Sequence, residues 1–94
     1  MLKRLSDAQK DKNRIYALIL GVGSSSDGRG KGITAPNAAG QERAIRACIE
    51  SVGIDPASIG LIEAHGTSTA VGDKTELLVL DKFFRECRLR PGTV

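Results

Sequence analysis

The chain has 94 residues and a mass of 10.0 kDa, enough for one small domain and too little for a large enzyme with a deep active site of its own. Hydrophobic residues make up 40% and charged residues 27%, an ordinary globular balance, whereas aromatic residues make up only 3%, which argues against a platform for stacking nucleic-acid bases. The net charge of +3, from 14 basic and 11 acidic residues, is weaker than that of a dedicated DNA-binding domain.

The first twelve residues, MLKRLSDAQKDK, predict the end of a helix in which Leu2 and Leu5 share a face with Ala8 or Gln9. This stretch lacks the apolar segment of a secretory signal, and no apolar run in the sequence approaches the roughly 18 residues of a membrane span. We therefore expect a cytoplasmic protein that does not bind membranes. The early basic residues predict a solvated surface or, alternatively, a docking patch for an acidic partner: Lys3, Arg4, Lys10, Lys12, Arg14, Arg29 and Lys31.

Residues 14–22, RIYALILGV, contain an unbroken apolar run from Ile15 to Leu20, which is typical of a strand buried on both faces. The stretch that follows is rich in Gly, Ser and Asp and predicts a long loop up to residue 37.

A helix is expected over residues 38–52, ended by Gly53, and Asp55-Pro56 then opens a turn or a short helical turn. The apolar residues of this helix recur at the spacing of one face: Ile45, Cys48, Ile49 and Val52.

A second short strand is predicted from Ile59 to Ala64. Asp73, with Glu76 three residues later, approximates a capping box, so a third helix is expected from Lys74 to about Cys87. This helix is apolar over much of its circumference, which is typical of a helix inside a core larger than this chain supplies: Leu77, Leu78, Val79, Leu80, Phe83 and Phe84. Thr93 and Val94 could begin another strand.

The predicted order α–β–α–β–α indicates an α/β layer structure. Two strands make a poor sheet by themselves, so the pattern predicts an incomplete part of a larger fold.

The sequence lacks several common motifs for cofactor, phosphate and metal sites. A dinucleotide fingerprint after the first strand fails because its third glycine would be Ser26, and a phosphate loop fails because Gly32 follows Lys31. His65 is the only histidine, so no zinc site has the usual spacing. The two cysteines lie in helical patterns and predict buried free thiols of a reducing compartment; pairing of one of them with His65 in a catalytic dyad stays open.

The segment EAHGTSTAVGD, residues 63–73, carries the clearest chemistry. It places His65 at the C-terminal end of a predicted strand, where α/β sheets bind ligands, and Gly66 allows a close backbone approach. Thr67, Ser68 and Thr69 add three hydroxyls. An imidazole that donates one hydrogen bond can hold a carbonyl oxygen while negative charge develops on it. The alternative is a structural histidine at a capped strand end.

This segment, with Gly72, Asp73 and Glu76 behind it, closely resembles the first active-site histidine motif of β-ketoacyl synthases, the condensing enzymes of fatty acid and polyketide assembly. Further segments resemble the same family in the same order, so that the likeness covers essentially the whole chain: residues 3–8, 14–17, 24–37 and 41–45. The resemblance implies a thiolase-like fold of two similar α/β halves. Residues 1–16 would end the N-terminal half, and residues 17–94 would begin the C-terminal half.

The resemblance also implies a reaction, the decarboxylative Claisen condensation of an acyl thioester with a malonyl-type extender. Both substrates are carried on the phosphopantetheine of an acyl carrier protein, so no cofactor is bound directly. By this likeness His65 is a catalytic residue that stabilises the enolate, and the hydroxyls of Thr67 and Thr69 contact the pantetheine arm. The remaining motif residues are expected to be structural: Gly66, Gly72, Asp73 and Glu76.

Several departures from the family bear on activity. The family's nucleophilic cysteine matches neither Cys48 nor Cys87, and its lysine and second histidine would come after Thr93. Removing one member of a cooperating catalytic set costs nearly as much as removing all of them, so we expect the chain alone to be inactive. Ala70 replaces a frequent Pro, and Lys74-Thr75 replaces a frequent Pro-Ile; these changes are minor.

The expected partners are an acyl carrier protein, the remainder of the ketosynthase and, for the parent enzyme, a second copy of itself. Arg14, Arg29 or Lys31 could contact the carrier protein through charge. Two other hypotheses stay open: a non-catalytic remnant that binds a partner through the apolar helix 74–87, and, more weakly, a basic module that binds nucleic acid.

Overall fold

The computed structural model describes residues 1–26, 36–89 and 92. Three α-helices occur in this part of the chain: α1 over Leu5–Lys10, α2 over Ala38–Val52 and α3 over Ala70–Glu86. A single 3-10 turn, Pro56–Ser58, lies between α2 and α3.

The first helix lies within the stretch that the sequence assigns to a helix. Ala8 is its buried residue, with 8% of its surface exposed, as expected for the apolar face. The side chain of Lys3 pairs with Asp11 and donates a hydrogen bond to Asn13 at 2.9 Å, which ties the two ends of this short helix together.

The predicted bounds of α2 are confirmed, and both ends have a local cause. The Asn37 side chain accepts a hydrogen bond from the N–H of Gly40 at 3.2 Å, the contact of an N-cap residue. At the other end Gly53 adopts the left-handed conformation, with φ of 63°, that favours glycine. The expected turn at Asp55-Pro56 is the 3-10 turn, in which the N–H of Ala57 donates to the Asp55 carboxylate at 2.9 Å.

The packing of α3 against α2 forms the main apolar contact of the described chain. Phe83 is 2% exposed and Val79 is 4% exposed, the two most buried hydrophobic side chains of the described residues. Phe84 meets the ring of Phe83 edge to face, with the ring centroids 5.2 Å apart. The guanidinium of Arg46, on α2, lies over the same ring at 5.4 Å and covers it from the solvent side.

Charged side chains border this contact. Glu42 on α2 accepts hydrogen bonds from Arg46, one turn along, and from Lys82 on α3 at 2.7 Å. Arg46 also pairs with Glu86 of α3. The Lys82 ammonium, and after it the Arg46 guanidinium, lower the pKa of the Glu42 carboxyl. The network therefore aligns the two helices while it stays fully ionised at neutral pH.

The two predicted strands are wrong for this chain, because no strand is assigned in residues 1–26 or 36–89. A β-strand is defined by hydrogen bonds to a neighbouring strand, and the described residues supply no such neighbour. Ile19 and Leu20 of the first apolar run are accordingly 67% and 65% exposed. Leu61 of the second run is 84% exposed.

The first apolar run nevertheless approaches α2 closely at its end. A Cβ atom added to Gly23 would overlap the carbonyl oxygen of Ala44 and lie 2.9 Å from the backbone nitrogen of Cys48. A Cβ added to Gly21 would meet the side chain of Val52. Glycine is needed here because the backbone itself, with no side chain between, packs on the apolar face of the helix.

The chain exposes more surface than a closed domain of its size. Its accessible area is 7970 Å², against about 5,200 Å² for a compact monomer of this mass. Its radius of gyration is 16.1 Å, against about 12 Å for a compact chain of this length. Leu77 and Leu78 of α3 are 64% and 59% exposed, so the helix is more apolar than the described chain can cover.

Some predicted features lie outside the described residues. They are the loop over residues 27–35, with Arg29 and Lys31, and the strand expected to begin at Thr93 and Val94. Within the described ranges, no helix has the length and apolar character needed to cross a membrane.

The buried ring of Phe83 provides a direct test of the helix pair. Phe83→Ala is expected to cost about 3–5 kcal/mol, because it removes the most buried side chain and leaves a cavity between the helices. Urea unfolding followed by helical circular dichroism measures this loss. Leu78→Ala removes an exposed apolar side chain of the same helix and should change the midpoint little, within about 0.5 kcal/mol. Equal losses in the two variants would contradict the packing described.

Candidate functional site

The predicted site residues lie in the loop that leads into α3. This helix begins at Ala70, four residues before the predicted start, and its N-cap is Thr69. The Thr69 hydroxyl accepts a hydrogen bond from the N–H of Gly72 at 3.2 Å. The predicted capping box at Asp73 is therefore wrong: the N–H of Asp73 donates to the Thr69 carbonyl at 2.9 Å, as in an ordinary helical turn.

Gly72 is the reason why the sequence misplaces the start of the helix. Glycine usually indicates a break, but here it lies inside the first helical turn. A Cβ at this position would collide with the Thr69 hydroxyl and lie 3.4 Å from the Thr67 hydroxyl. The absence of a side chain thus makes room for both threonine side chains beside the helix.

Glu76 has a different task from the predicted one. It lies on the second turn of α3, and its carboxylate reaches back to the loop instead of to the helix start. Oε1 accepts a hydrogen bond from the N–H of His65 at 2.8 Å, and Oε2 accepts one from the N–H of Gly66 at 3.2 Å. One carboxylate therefore holds two consecutive peptide groups at the candidate catalytic histidine.

These contacts also set the charge state of the carboxyl. The backbone hydrogen bonds from His65 and then from Gly66 lower the pKa of Glu76, and the nearby imidazole of His65 adds to this effect. A lowered folded-state pKa stabilises the fold above the ordinary glutamate value, and this contribution disappears as the pH falls through the lowered value. The carboxylate is ionised at neutral pH, where it accepts both hydrogen bonds.

Two residues of the loop adopt left-handed backbone conformations. Gly66 has φ of 51°, which glycine adopts at no steric cost. Ser68 has φ of 61°, an uncommon conformation for a residue with a side chain. The hydroxyls of Thr67 and Thr69 lie 3.4 Å apart and form a polar pair in the same loop as the exposed His65.

Asp73 lies in the first turn of α3. Its Oδ1 atom is shielded from solvent and has no hydrogen-bond partner among the described residues. As an acidic residue in the first turn of α3, it also interacts favourably with the positive end of the helix dipole. The described ranges contain no cluster of three His, Cys, Asp or Glu residues that could hold a metal ion.

The cysteines lie apart from this loop. Cys87 is the C-cap of α3, at the other end of a 17-residue helix that is about 25 Å long. The Cys48 sulfur packs beside Gly21, where an added Cβ would lie 3.5 Å from it. Both thiols are free and half-buried, so the expectation of buried thiols holds only in part. The structure does not bring Cys87 to His65, and it engages Cys48 in packing.

The loop therefore presents an accessible imidazole and two neighbouring hydroxyls, and contacts with α3 hold its backbone. An imidazole N–H can donate to an oxygen that gains negative charge, and hydroxyls can both donate and accept. This donor set suits a ligand with a polarisable carbonyl and a chain that carries amide or hydroxyl groups.

Comparison with known proteins assigns this chain to a family. Residues 16–92 match the model of the β-ketoacyl synthase C-terminal domain, and the chain therefore belongs to the β-ketoacyl synthase family. This confirms the resemblance of the histidine motif.

Individual relatives agree with this assignment. The chain is 46% identical over 84 residues to a polyunsaturated fatty acid synthase protein of a Thraustochytrium species, a match that covers 89% of this chain and 3% of that protein. It is 46% identical over 86 residues to the polyketide synthase PksL of Bacillus subtilis, covering 92% of this chain and 2% of that protein. The chain thus spans only a few hundredths of these relatives' length.

Similarity to a solved structure identifies the fold of which this chain is a part. The ketosynthase from module 6 of the bacillaene synthase of Bacillus subtilis is 46% identical, with a TM-score of 0.84 over 89% of this chain and 15% of that one. The chain thus has part of the α/β, thiolase-like ketosynthase fold, as the resemblance implied. The larger chain of the relative is also consistent with the exposed apolar surface found here.

Sequence reasoning missed the task of Glu76 and the conformation of Ser68. The one available signal was Thr69, a strong N-cap residue directly before Ala-Val in a helical pattern. Starting the helix there places Glu76 on its second turn, where it faces back along the helix toward its N-terminal end. Nothing in the local sequence indicates that a residue 11 positions away binds the His65 amide.

The N-cap assignment can be tested by substitution. Thr69→Ala should destabilise the start of α3 by about 1 kcal/mol, because the Gly72 N–H loses its acceptor. Faster amide hydrogen exchange at Gly72 would report this loss. Thr69→Ser keeps the hydroxyl and should retain protection. Unchanged exchange in Thr69→Ala would contradict the cap.

Proposed function

We propose that this chain supplies the first active-site histidine segment of a ketosynthase. The reaction is decarboxylative condensation of an acyl thioester with a malonyl-type extender on an acyl carrier protein, in polyketide or fatty acid biosynthesis. The observation that carries the proposal is the loop around His65: an exposed histidine two residues before the Thr67–Thr69 hydroxyl pair, with its backbone N–H bound by Glu76, in a chain of this family.

His65 has the catalytic role in this proposal. Loss of CO2 from the extender leaves an electron pair that is delocalised onto the thioester carbonyl oxygen as an enolate. An imidazole N–H directed at that oxygen binds the enolate more strongly than the neutral carbonyl, because the negative charge develops there. The enolate carbon then attacks the carbonyl carbon of the acyl thioester, which forms the new carbon–carbon bond, breaks the carbon–sulfur bond and releases the thiolate that carried the acyl group.

The hydroxyl pair fits the arm that delivers the extender. Phosphopantetheine carries amide groups along a flexible chain, and Thr67 and Thr69 offer two hydroxyls 3.4 Å apart. In this proposal they bind the arm and place its thioester next to the imidazole. The arm belongs to the carrier protein, so the chain itself needs no cofactor.

The 94 residues alone are proposed to be inactive. His65 is the only histidine in the sequence. Cys48 packs beside Gly21 and Cys87 lies at the far end of α3, so neither position suits the nucleophile. Transfer of the acyl group to an enzyme thiol then depends on the rest of a ketosynthase. Residues 1–16 would close the N-terminal half of that enzyme, and residues 17–94 would open its C-terminal half.

The exposed apolar surface supports docking to that remainder. Leu77, Leu78, Ile19 and Leu20 are all more than half exposed here, and such side chains normally lie in a core. In this proposal, the other layers of the ketosynthase cover these side chains. Ketosynthases of this kind are proposed to act as homodimers with an acyl carrier protein as substrate. Arg14, whose guanidinium lies over Tyr16 at 4.9 Å, is a candidate contact for the carrier.

The experiment is a chimera of the bacillaene ketosynthase in which this chain replaces the matching segment. The chimera should decarboxylate malonyl-loaded carrier protein and form condensed product. His65→Ala should lower the decarboxylation rate about 100- to 1,000-fold, the effect of removing one oxyanion donor.

Glu50→Gln, on the exposed face of α2, serves as the control and should leave the rate unchanged. Full decarboxylation by the His65→Ala chimera, or an inactive chimera with the unsubstituted segment, would refute the proposed function. The isolated chain should form no product with the same substrates, and product formation would show that a nucleophile is present within it.

A further inference from the structure

We propose that the segment over residues 15–22 is a self-association site: in the 94-residue chain it pairs with the same segment of a second copy as a two-stranded antiparallel β-ladder. This inference goes beyond the proposed function and does not depend on it, because it concerns the surface that the chain exposes on its own.

The backbone of this segment has hydrogen-bonding groups without partners. Residues 15–22 lie outside every helix, and no hydrogen bond joins their N–H or C=O groups to another part of the described chain. The segment contains no proline, so every residue offers one donor and one acceptor. An unpaired edge of this kind is a template to which another strand can add.

The side chains of the segment are apolar and largely exposed. The backbone at Gly21 and Gly23 packs directly on α2, so these positions lie on the side that faces the helix. Alternate residues of an extended chain face opposite sides, and Val22, between the two glycines, is 80% exposed. Leu20 and Tyr16 continue this exposed side. The helix thus covers one face of the segment at its end and leaves its edge unpaired.

Charge decides the direction of the pairing. Arg14 directly precedes the apolar run and is the only charged residue in positions 13–26 of the sequence. A parallel pair in register would place the two Arg14 side chains next to each other, and like charges directly opposite destabilise a sheet. An antiparallel pair centred on the run places them at opposite ends of the ladder, about 27 Å apart at 3.4 Å per residue.

The middle of the segment sets the register. Pairing about Leu18 places this residue opposite its own copy and places Tyr16 opposite Leu20, so that apolar side chains meet along the whole run. The contacts are then the same in both directions. An interface of this type has two-fold symmetry and is complete with two copies.

The chain has the surface that such an interface requires. It exposes roughly 2,700 Å² more than a compact monomer of its mass, whereas a standard protein interface takes about 800 Å² from each partner. The other apolar stretch, residues 59–64, is less suited to pairing. Gly60 weakens a strand because it has no side chain to pack, and Glu63 places a charge in the run.

The first measurement is the mass of the 94-residue chain by sedimentation velocity across a dilution series. The unsubstituted chain should form a species of twice its 10.0 kDa that dissociates on dilution. Leu18→Lys should leave only the 10.0 kDa species, because two ammonium groups would meet at the centre of the ladder. Leu61→Lys makes the same change at an exposed leucine outside the segment and should keep the dimer.

Mixing two variants tests the register. Leu18→Lys and Leu18→Glu should each be monomeric, since like charges meet in both homodimers. An equimolar mixture should recover the dimer, because opposite charges then face each other across the ladder. The helical circular dichroism of both variants should equal that of the unsubstituted chain, because residue 18 lies outside the helices.

Amide hydrogen exchange tests the ladder itself. In an antiparallel pair, successive residues of one strand direct their N–H groups alternately toward and away from the partner. Every second amide over residues 15–22 should therefore be protected in the dimer, and Leu18→Lys should remove this protection.

A chain that stays monomeric throughout the dilution series would overturn the proposal and leave this segment to the other layers of a ketosynthase. Assemblies that persist in Leu18→Lys, or a mixture of the two variants that stays monomeric, would overturn it as well. None of these results changes the expected decarboxylation by the chimera, so the failure of this inference and the failure of the proposed function can be told apart.

Discussion

The packing of α3 against α2 is the contact on which the rest of the described structure depends. Phe83 and Val79 bury their side chains there, and the ion pairs of Glu42 and Arg46 fix the relative position of the two helices. The N-terminal end of the same α3 carries the whole candidate site. A hydrophobic contact at one end of a helix thus determines where polar groups lie at the other end, because the helix between them is rigid.

The candidate site is a loop with little packing of its own, and contacts with α3 hold it in place. A loop of Gly, Ser and Thr has little packing of its own, and three contacts with α3 compensate for this: the Thr69 cap and the two hydrogen bonds to Glu76. The cap places the Thr69 hydroxyl against the first turn of the helix, and Glu76 on the second turn holds two backbone N–H groups of the loop. Gly72 permits this close approach, since any side chain there would displace the Thr69 hydroxyl.

The sequence predicts the parts of this fold that local chemistry determines. The bounds of α2 follow from Asn37 and Gly53, whose preferences act within one turn. The two strands were predicted wrongly, because an apolar run such as Ile15–Leu20 satisfies the strand pattern whether or not a neighbouring strand is present to complete the ladder. The histidine motif was found from its residue types, but the hydrogen bond from the His65 N–H to Glu76 was not, since it joins positions 11 residues apart and depends on where α3 begins.

The exposed apolar residues and the Glu76 contacts differ in what they need from outside this chain. Ile19, Leu20, Leu77 and Leu78 are left exposed by the described residues, and this chain covers only 15% of the ketosynthase chain that it resembles. The Glu76 contacts, in contrast, are complete within the chain. The backbone geometry around His65 is therefore held by contacts within the described chain, whereas the apolar surface has no cover there. A segment built in this way specifies its histidine loop through its own contacts and leaves the burial of its apolar surface to other parts of a larger fold.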